Sequence, residues 1–236
     1  MKRIIRYHRW GWAALAVLLL VLSACSKELS VIRQGDIPDE EFYGPNYNDL
    51  AIGTIRSRDG VRYVRLNVWI VGMIANPDEV KDIVDGTRVF LQYRRVVTPS
   101  TMPDFCTDAI LVEWATPLDV GEVSHSAQDR QGDPISVVMD WMTNVEDGFL
   151  TLHYSIPSKG KASHRFTLCP GENENEYRLI HDANGDTEGD MTDGIVCFYI
   201  ESLLPETGGE AVKLSLTYLN IDHTSKTLTV DYRSPQ

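Results

Sequence analysis

The sequence predicts a mainly β protein with two β domains behind an N-terminal leader. From residue 49 onward, short runs in which apolar and polar residues alternate recur along the chain, as in strands that bury one face. Turn-forming Gly, Pro, Asn and Asp separate these runs at short intervals. In the second half of the chain no apolar repeat with a helical period persists. Together these observations favour a small barrel followed by a sandwich of two sheets.

The first 24 residues have the layout of a secretory signal. Four basic residues precede an apolar run over residues 10–22, and Ala24 then precedes Cys25. This order resembles the lipobox of bacterial lipoproteins, in which the cysteine is lipidated and becomes the new N-terminus. The alternative, an uncleaved membrane anchor, needs about 18 to 20 apolar residues, and this run is shorter. We therefore expect a signal peptide over residues 1–24 and lipidation of Cys25.

Residues 25–48 are polar, acidic and rich in turn formers, and they show no sustained period of a strand or a helix. A segment of this composition cannot bury enough apolar surface to fold alone, so it predicts a flexible tether. A lipid on Cys25 then places the folded part at the outer membrane, either in the periplasm or at the cell surface. The membrane is therefore an expected partner, reached through the N-terminal lipid.

The first domain is expected over residues 49–122, and it begins with a hairpin. Two β-prone runs, at residues 51–56 and 61–68, flank the dipeptide Asp59-Gly60. An Asp-Gly pair between two such runs is a strong signal for a two-residue hairpin turn.

A helical turn and further strands complete the first domain. Asn76 is suited to cap the turn and Pro77 to open it. Residues 87–97 alternate again, and residues 109–114 form another apolar run. In the alternating run, the face predicted to be buried has Val89, Leu91 and Tyr93, and the outer face has Arg88, Gln92 and Arg94. Short strands with one small helix in about seventy residues fit an OB-like barrel.

The second domain is expected over residues 133–236, after a loop-like boundary at residues 121–134. Seven strands are predicted, at residues 135–142, 149–156, 163–169, 176–181, 195–202, 211–219 and 227–233. Several of them alternate cleanly, which indicates strands with one buried face and one solvated face. This pattern is typical of an immunoglobulin-like sandwich of two sheets.

Three short segments resemble the NigD-like lipoproteins of Bacteroides and Prevotella relatives. They are residues 145–154 (Val-Glu-Asp-Gly-Phe-Leu-Thr-Leu-His-Tyr), 164–168 and 179–186, and the likeness spans nearly the whole chain after the leader. The resemblance implies an OB-like domain followed by a β-sandwich. The family takes its name from a bacteriocin-associated operon, which suggests a role in immunity. It brings no catalytic residues to this chain.

The charge of the chain excludes nucleic acid as an expected partner. The leader holds four of the 22 Lys and Arg and none of the 34 Asp and Glu, so the remainder has a net charge of −16. Such a body repels phosphate backbones and anionic headgroups, because cationic side chains are what drive nonspecific binding to them. Acyl chains must then hold the protein at the membrane. We expect a monomer.

Three cysteines remain beyond the lipidated one, namely Cys106, Cys169 and Cys197. Cys169 and Cys197 both fall in predicted strands of the second domain. A disulfide between them is one interpretation, since the compartment permits it. The favoured alternative is that they are small, half-buried free thiols in a sheet.

Residues 182–193 place oxygen-bearing side chains at every second position, which suits Ca²⁺ because this ion takes about six to eight oxygen ligands. The candidate ligands are Asp182, Asn184, Asp186 and Asp190. The segment departs from an EF-hand loop, since Thr187 stands where Gly is needed and Asp193 where Glu is expected. The favoured alternative is an Asx-rich turn whose side chains bond nearby amides. No other cofactor is indicated.

Three histidines, His153, His164 and His181, fall in predicted strands of the second domain. Alternation places His153 on the wet face and His164 on the apolar face, so scattered histidines with local partners are favoured over a metal site. The sequence has no zinc-protease, serine-hydrolase or phosphate-loop motif. A catalytic group assembled from distant strands leaves no such motif, so this alternative stays open.

The first domain contains residue types with which OB folds hold single strands or sugars, namely Arg88, Arg94, Arg95, Tyr63, Tyr93 and Trp69. Alternation explains these aromatic residues as core and these arginines as outer face. With the negative charge of the chain, a peptide or glycan ligand is favoured over nucleic acid.

These observations favour a non-enzymatic lipoprotein of the cell envelope that binds or protects, with bacteriocin immunity as one specific version. The rival hypothesis is an envelope hydrolase whose site is not visible in sequence. A deep pocket with convergent acids would favour the hydrolase, and an open surface would favour binding.

Overall fold

The structure, a computed structural model, describes residues 49–67, 69–96, 98–126 and 130–234. The expected signal peptide, the lipidation of Cys25 and the tether lie outside these residues and stay predictions. Among the described residues, no helix has the length and apolar character needed to cross a membrane.

Five strands of the first domain form a closed barrel. They are β1 (Asp49–Arg58), β2 (Val61–Arg65), β3 (Val71–Ile74), β4 (Arg88–Val96) and β5 (Asp108–Pro117). Around the barrel the order is β1-β2-β3-β5-β4, and β4 closes back onto β1. The β3–β5 pair is parallel, and the other pairs are antiparallel. This closed five-stranded architecture confirms the expected OB-like barrel.

The hairpin between β1 and β2 turns at the expected residues. Asp59 and Gly60 both take positive φ, 52° and 80°, as a type I′ turn requires. The predicted helical turn is a short 3-10 helix, Pro77–Val80, whose Val80 is fully buried in the barrel core. Asn76 does not cap it, because its side-chain amide bonds the backbone N–H and C=O of Val112 on β5 at 2.9 and 2.8 Å.

The barrel is filled by the inward face of its strands. Val89, Leu91 and Tyr93 of β4 are buried, as the alternation predicts. They pack with residues of the other strands, including Ile55, Val64 and Ile110.

Ten strands of the second domain form two sheets. They are β6 (Asp119–Val120), β7 (Glu122–Val123), β8 (Ser136–Val138), β9 (Asn144–Glu146), β10 (Phe149–Ser158), β11 (Arg165–Pro170), β12 (Glu176–Asp182), β13 (Asp190–Tyr199), β14 (Val212–Leu219) and β15 (Ser225–Tyr232). One sheet has the order β6-β13-β10-β8, with β9 also paired to β10, and the other has the order β15-β14-β12-β11-β7.

The two sheets share one hydrophobic core, which confirms the expected sandwich. Leu152 and Phe198 of the first sheet and Leu168 and Leu216 of the second are at most 1% exposed. Burying side chains of this size stabilises the fold by about 1.5–3 kcal/mol each.

The sandwich begins earlier along the chain than the sequence indicates. Strands β6 and β7 already pair in parallel with β13 and β11, so residues 119–123 belong to the two sheets and not to a linker. Gly121 lies against the Phe198 ring, where a Cβ atom would come within 2.2 Å of the ring. The composition of residues 121–134 predicts a loop, and strands of two residues such as β6 and β7 leave no alternation that would indicate otherwise.

The proposed disulfide between Cys169 and Cys197 is wrong. Cys169 lies on β11 and Cys197 on β13, which belong to different sheets, and both are buried free thiols. The Cys197 thiol donates to the Asp119 carbonyl at 3.4 Å, and burial raises its pKa to about 11. Cys106 is also a buried free thiol. The favoured alternative, free thiols in a sheet, is therefore confirmed, with deeper burial than expected.

Candidate functional site

The barrel and the sandwich meet at the turn between β9 and β10. Asp147 and Gly148 form this turn with positive φ, 51° and 80°. The Asp147 carboxylate accepts two hydrogen bonds from the Arg56 guanidinium, at 3.1 and 2.9 Å, and lies 3.5 Å from the Arg65 guanidinium. One carboxylate of the sandwich therefore holds two arginines of the barrel.

Arg88 on β4 is the centre of the contact between the domains. Its side chain is fully buried, donates to the Thr54 hydroxyl at 3.2 Å and lies 3.6 Å from the Glu146 carboxylate. It also reaches the Asn144 side chain at 3.5 Å. The sequence places Arg88 on the outer face of the barrel, and the expectation that this face is exposed is wrong here because the sandwich covers it.

Burial acts on both members of this ion pair. It raises the pKa of Glu146 to about 7, although the Arg88 guanidinium opposes the rise. It also lowers the pKa of Arg88, and Glu146 opposes that change. A buried pair of this kind is weak evidence for net stability, but either member left alone would be a buried charge without a partner. The pair therefore fixes the position of the barrel against the sandwich.

An open groove of about 650 Å³ lies at the same junction. The barrel wall is made by β4, β5 and Leu118, and the sandwich wall is made by β6, β10, β13 and the segment after β8. The lining residues are Phe90, Trp114, Thr116, Pro117, Leu118, Asp119, Met142, His153, Asp193, Gly194 and Ile195.

Aromatic rings form the barrel wall of the groove. Phe90 packs edge-to-face on Trp114, with centroids 5.4 Å apart, and it also contacts Trp141 of the sandwich at 6.2 Å. The Trp114 indole N–H donates to the Gln92 side chain at 2.6 Å. Because this N–H already has a partner and 38% of Trp114 is exposed, the residue offers a ligand its ring surface.

His153 stands on the sandwich wall in a fixed orientation. Its Nδ1 donates to the Asp140 carboxylate at 2.8 Å, and its backbone N–H donates to the Thr143 hydroxyl at 3.0 Å. Asp140 also accepts from the Met142 backbone N–H at 2.9 Å, which holds the segment after β8 in place. Since Nδ1 carries the proton in this pair, Nε2 is the nitrogen left over for other contacts.

The other two histidines contact each other away from the groove. His164 Nδ1 and His181 Nε2 are 2.8 Å apart, and the rings stack at 5.1 Å. His181 Nδ1 also lies 3.2 Å from the Pro134 carbonyl, and burial lowers the pKa of His181. The expectation of three scattered histidines is therefore correct for His153 and wrong for this pair.

The described residues give the calcium hypothesis no support, because two of the four candidate ligands, Asp182 and Asp186, already bond other groups of the chain. Asp182 accepts from the Asn184 backbone N–H at 3.0 Å and pairs with Arg130 at 3.1 Å, and Asp190 lies exposed on β13. Within the described ranges, no group of three or more His, Cys, Asp or Glu side chains is arranged to hold a metal ion. The Asx turn, the favoured alternative, is confirmed.

Asp186 is the buried member of this segment. Its carboxylate accepts from the Ser158 hydroxyl at 2.8 Å and from the backbone N–H groups of Lys159 and Lys161, each at 3.0 Å. These hydrogen bonds hold the pKa of Asp186 well below its usual range. The carboxylate therefore joins two loops of the sandwich.

The OB-type residues do not assemble into one surface. Tyr93 is in the barrel core, and Arg88 is covered by the sandwich. The other two arginines form ion pairs within the barrel: Arg94 pairs with Glu113 at 3.2 Å, and Arg95 pairs with Asp108 at 3.6 Å. Trp69 was expected in the core but is 73% exposed, on a loop where Asn67 accepts from the N–H groups of Trp69 and Ile70. Tyr63 packs edge-to-face on Phe105, with ring centroids 5.3 Å apart, and is also outside the core.

The groove presents one hydroxyl, one histidine and two carboxylates among its described lining residues. Among its described lining residues, the only hydroxyl belongs to Thr116, and no serine or cysteine is present. His153 is oriented by Asp140 as a general base would be, but no lining serine or cysteine stands beside it as a nucleophile. Sequence reasoning missed this site because its residues come from strands that meet only when the domains dock.

The sandwich half of the chain matches a known family model, that of the NigD-like C-terminal beta sandwich domain, over residues 120–232. No protein of curated function matches this sequence.

Several solved structures have the same fold, among them one from each of Parabacteroides distasonis, Bacteroides caccae and Bacteroides fragilis. The first, described as toxin-related, is from Parabacteroides distasonis; it has a TM-score of 0.65 and 20% identity, and the match covers 80% of this chain and 94% of that chain. A NigD-like immunity protein from Bacteroides caccae has a TM-score of 0.53 and 17% identity, with 78% and 97% covered. A protein described as a lipoprotein, from Bacteroides fragilis, has a TM-score of 0.57 and 10% identity, with 80% and 100% covered.

The family model covers β6 through β15, including the strands that form the sandwich wall of the groove. Residues 120–232 therefore belong to the NigD-like C-terminal β-sandwich family.

Proposed function

We propose that this protein is a non-enzymatic binding protein of the cell envelope that protects the cell by capturing a ligand in the groove between barrel and sandwich. One observation carries the proposal: the groove has an aromatic wall with Trp114 on one side and the fixed pair of His153 and Asp140 on the other. Pockets at domain junctions with apolar walls and a few oriented polar groups are typical ligand sites.

The contact between the domains supports this proposal, because it forms the groove before any ligand arrives. Arg56, Arg65 and Arg88 of the barrel are all held by Glu146 and Asp147 of the sandwich. A wall fixed in this way loses little conformational entropy on binding, which favours affinity.

A role in immunity against a bacteriocin is the specific version that we favour. The NigD-like family membership of residues 120–232 supports it, as does the likeness in fold to a protein described as an immunity protein. An immunity protein acts by binding, and an open groove with preformed walls suits that task.

We also propose that the protein is an outer-membrane lipoprotein anchored through Cys25, and that it acts there as a monomer. The proposal rests on the order of basic, apolar and small residues before Cys25. We expect Cys25→Ser to move the protein from the membrane fraction to the soluble fraction, because lipid anchoring needs the thiol. Cell fractionation checks the location of the variant, and intact-mass measurement of the native protein checks the lipidation itself. An unmodified Cys25 or a retained Met1 would contradict the proposed anchor.

The protective role is tested by deletion and complementation. A strain that lacks the gene is expected to become sensitive to a toxin encoded beside it, and the wild-type gene should restore resistance. Trp114→Ala should fail to restore it, since losing a stacking aromatic in a site weakens binding by about tenfold or more.

Trp69→Ala is the matched control, because it removes an equally large exposed ring that lies outside the groove. It should restore resistance fully. If Trp114→Ala, shown by thermal melting to be folded, protects as well as Trp69→Ala does, the groove is not the protective site. A deletion strain with unchanged sensitivity would retire the immunity role.

A further inference from the structure

We infer that the groove selects a cationic peptide, whose ammonium or guanidinium group lies between the aromatic wall and the carboxylates of the sandwich. This inference rests on the proposed function and names the class of ligand that the groove takes.

The charged residues that line the groove are acidic. Asp119 and Asp193 both line it, and both are exposed to solvent, so their carboxylates are accessible to a ligand. The described lining contains no Lys or Arg. The one further ionisable lining residue, His153, is already bonded to the Asp140 carboxylate. An anionic ligand would therefore meet only repulsion.

The arginines of the domain contact do not offset this charge. Arg56 and Arg65 lie against Asp147, and Arg88 lies against Glu146. Two carboxylates face these three guanidinium groups, so most of the positive charge is offset within the contact itself, and none of the three arginines lines the groove.

The rings of the groove fit the same ligand. A Lys or Arg cation is attracted to the face of an aromatic ring within about 6 Å, and Trp is the strongest such partner. The exposed part of Trp114 offers a ligand its ring surface, since the indole N–H already donates to Gln92. A neutral sugar would also stack on Trp114, but it would leave the two exposed carboxylates without a counter-charge.

The whole chain strengthens this selectivity over longer distances. After the leader the net charge is −16, which raises the local concentration of cations and repels anions. A groove of about 650 Å³ is in the size range of small-ligand pockets, so it fits a short peptide segment and not a folded domain.

The test is isothermal titration calorimetry of the purified protein with two capped peptides that have the same amino-acid sequence. One peptide, Leu-Lys-Leu-Lys, carries free lysines, and in the other the same lysines are Nε-acetylated. We expect the lysine peptide to bind at least tenfold more tightly, and the difference to shrink as salt is raised.

Two double variants locate the interaction. Asp119→Asn with Asp193→Asn should weaken lysine-peptide binding about tenfold. Glu172→Gln with Glu174→Gln removes the same charge from an exposed turn elsewhere and should leave binding nearly unchanged. Equal binding of both peptides, or equal effects of both double variants, would overturn the inference.

The outcomes separate this inference from the proposed function. If both peptides bind alike while Trp114→Ala still abolishes protection, the groove functions and its ligand is not selected by charge. If Trp114→Ala protects fully, the function of the groove fails whatever the peptides do.

Discussion

Replacing Arg88 with alanine is expected to lower the free energy of unfolding by about 3–5 kcal/mol, because it leaves the buried Glu146 carboxylate without its partner. The change also leaves an acceptor without its donor at Thr54 and creates a cavity between the domains. Urea denaturation measures the effect.

Arg94→Ala is the matched control on the same strand. Arg94 pairs with Glu113 near the surface, so its loss should cost less than about 1 kcal/mol. If Arg88→Ala cost no more than Arg94→Ala, the buried ion pair would not hold the domains together.

The cost of Arg88→Ala should also depend on pH. The folded-state pKa of Glu146 is raised to about 7 from an ordinary value of 4.5, so its favourable contribution is present below pH 4.5 and lost as pH rises through about 7. Without Arg88, the ionised Glu146 carboxylate destabilises the folded state even more than it does in the wild-type protein. The variant should therefore lose more stability at pH 8 than at pH 5. Adding Glu146→Gln should remove this dependence.

Replacing Asp186 with alanine is expected to lower the melting temperature by about 5 °C or more, whether calcium or EDTA is present. Three donors, from Ser158, Lys159 and Lys161, lose their buried acceptor. Because the pKa of Asp186 is depressed, its contribution is present above the ordinary carboxyl pKa and lost as pH falls below it.

Asp190→Ala provides the control within the same segment. Asp190 is exposed on β13, so its loss should change the melting temperature by little. A contrary result would be that EDTA lowers the melting temperature of the wild-type protein and leaves that of Asp186→Ala unchanged. That result would establish Asp186 as a calcium ligand.

Much of the fold could be predicted from sequence, because local chemistry determines it. The turn at Asp59 and Gly60 needs residues that accept positive φ, and Asp-Gly supplies them. The buried face of β4 follows from alternation alone. Strand pairs such as β14 and β15 are antiparallel neighbours in sequence, so their pairing needs no long-range information.

The errors arose where distant segments meet. Alternation assigns Arg88 to an outer face but does not show that the sandwich covers this face. Oxygen spacing at residues 182–190 fits a calcium loop as well as an Asx turn, and the amides that bind Asp186 come from residues 159 and 161. The groove was missed for the same reason, since Trp114 and His153 belong to different domains.

NMR of the tryptophan indole N–H groups shows whether the groove between the domains is the binding site. The ¹⁵N-labelled protein is titrated with the purified toxin to which the deletion strain is sensitive. We expect the Trp114 indole signal to shift until the site is saturated, while the signal of the exposed Trp69 does not move. A shift at Trp69 with no change at Trp114 would contradict it.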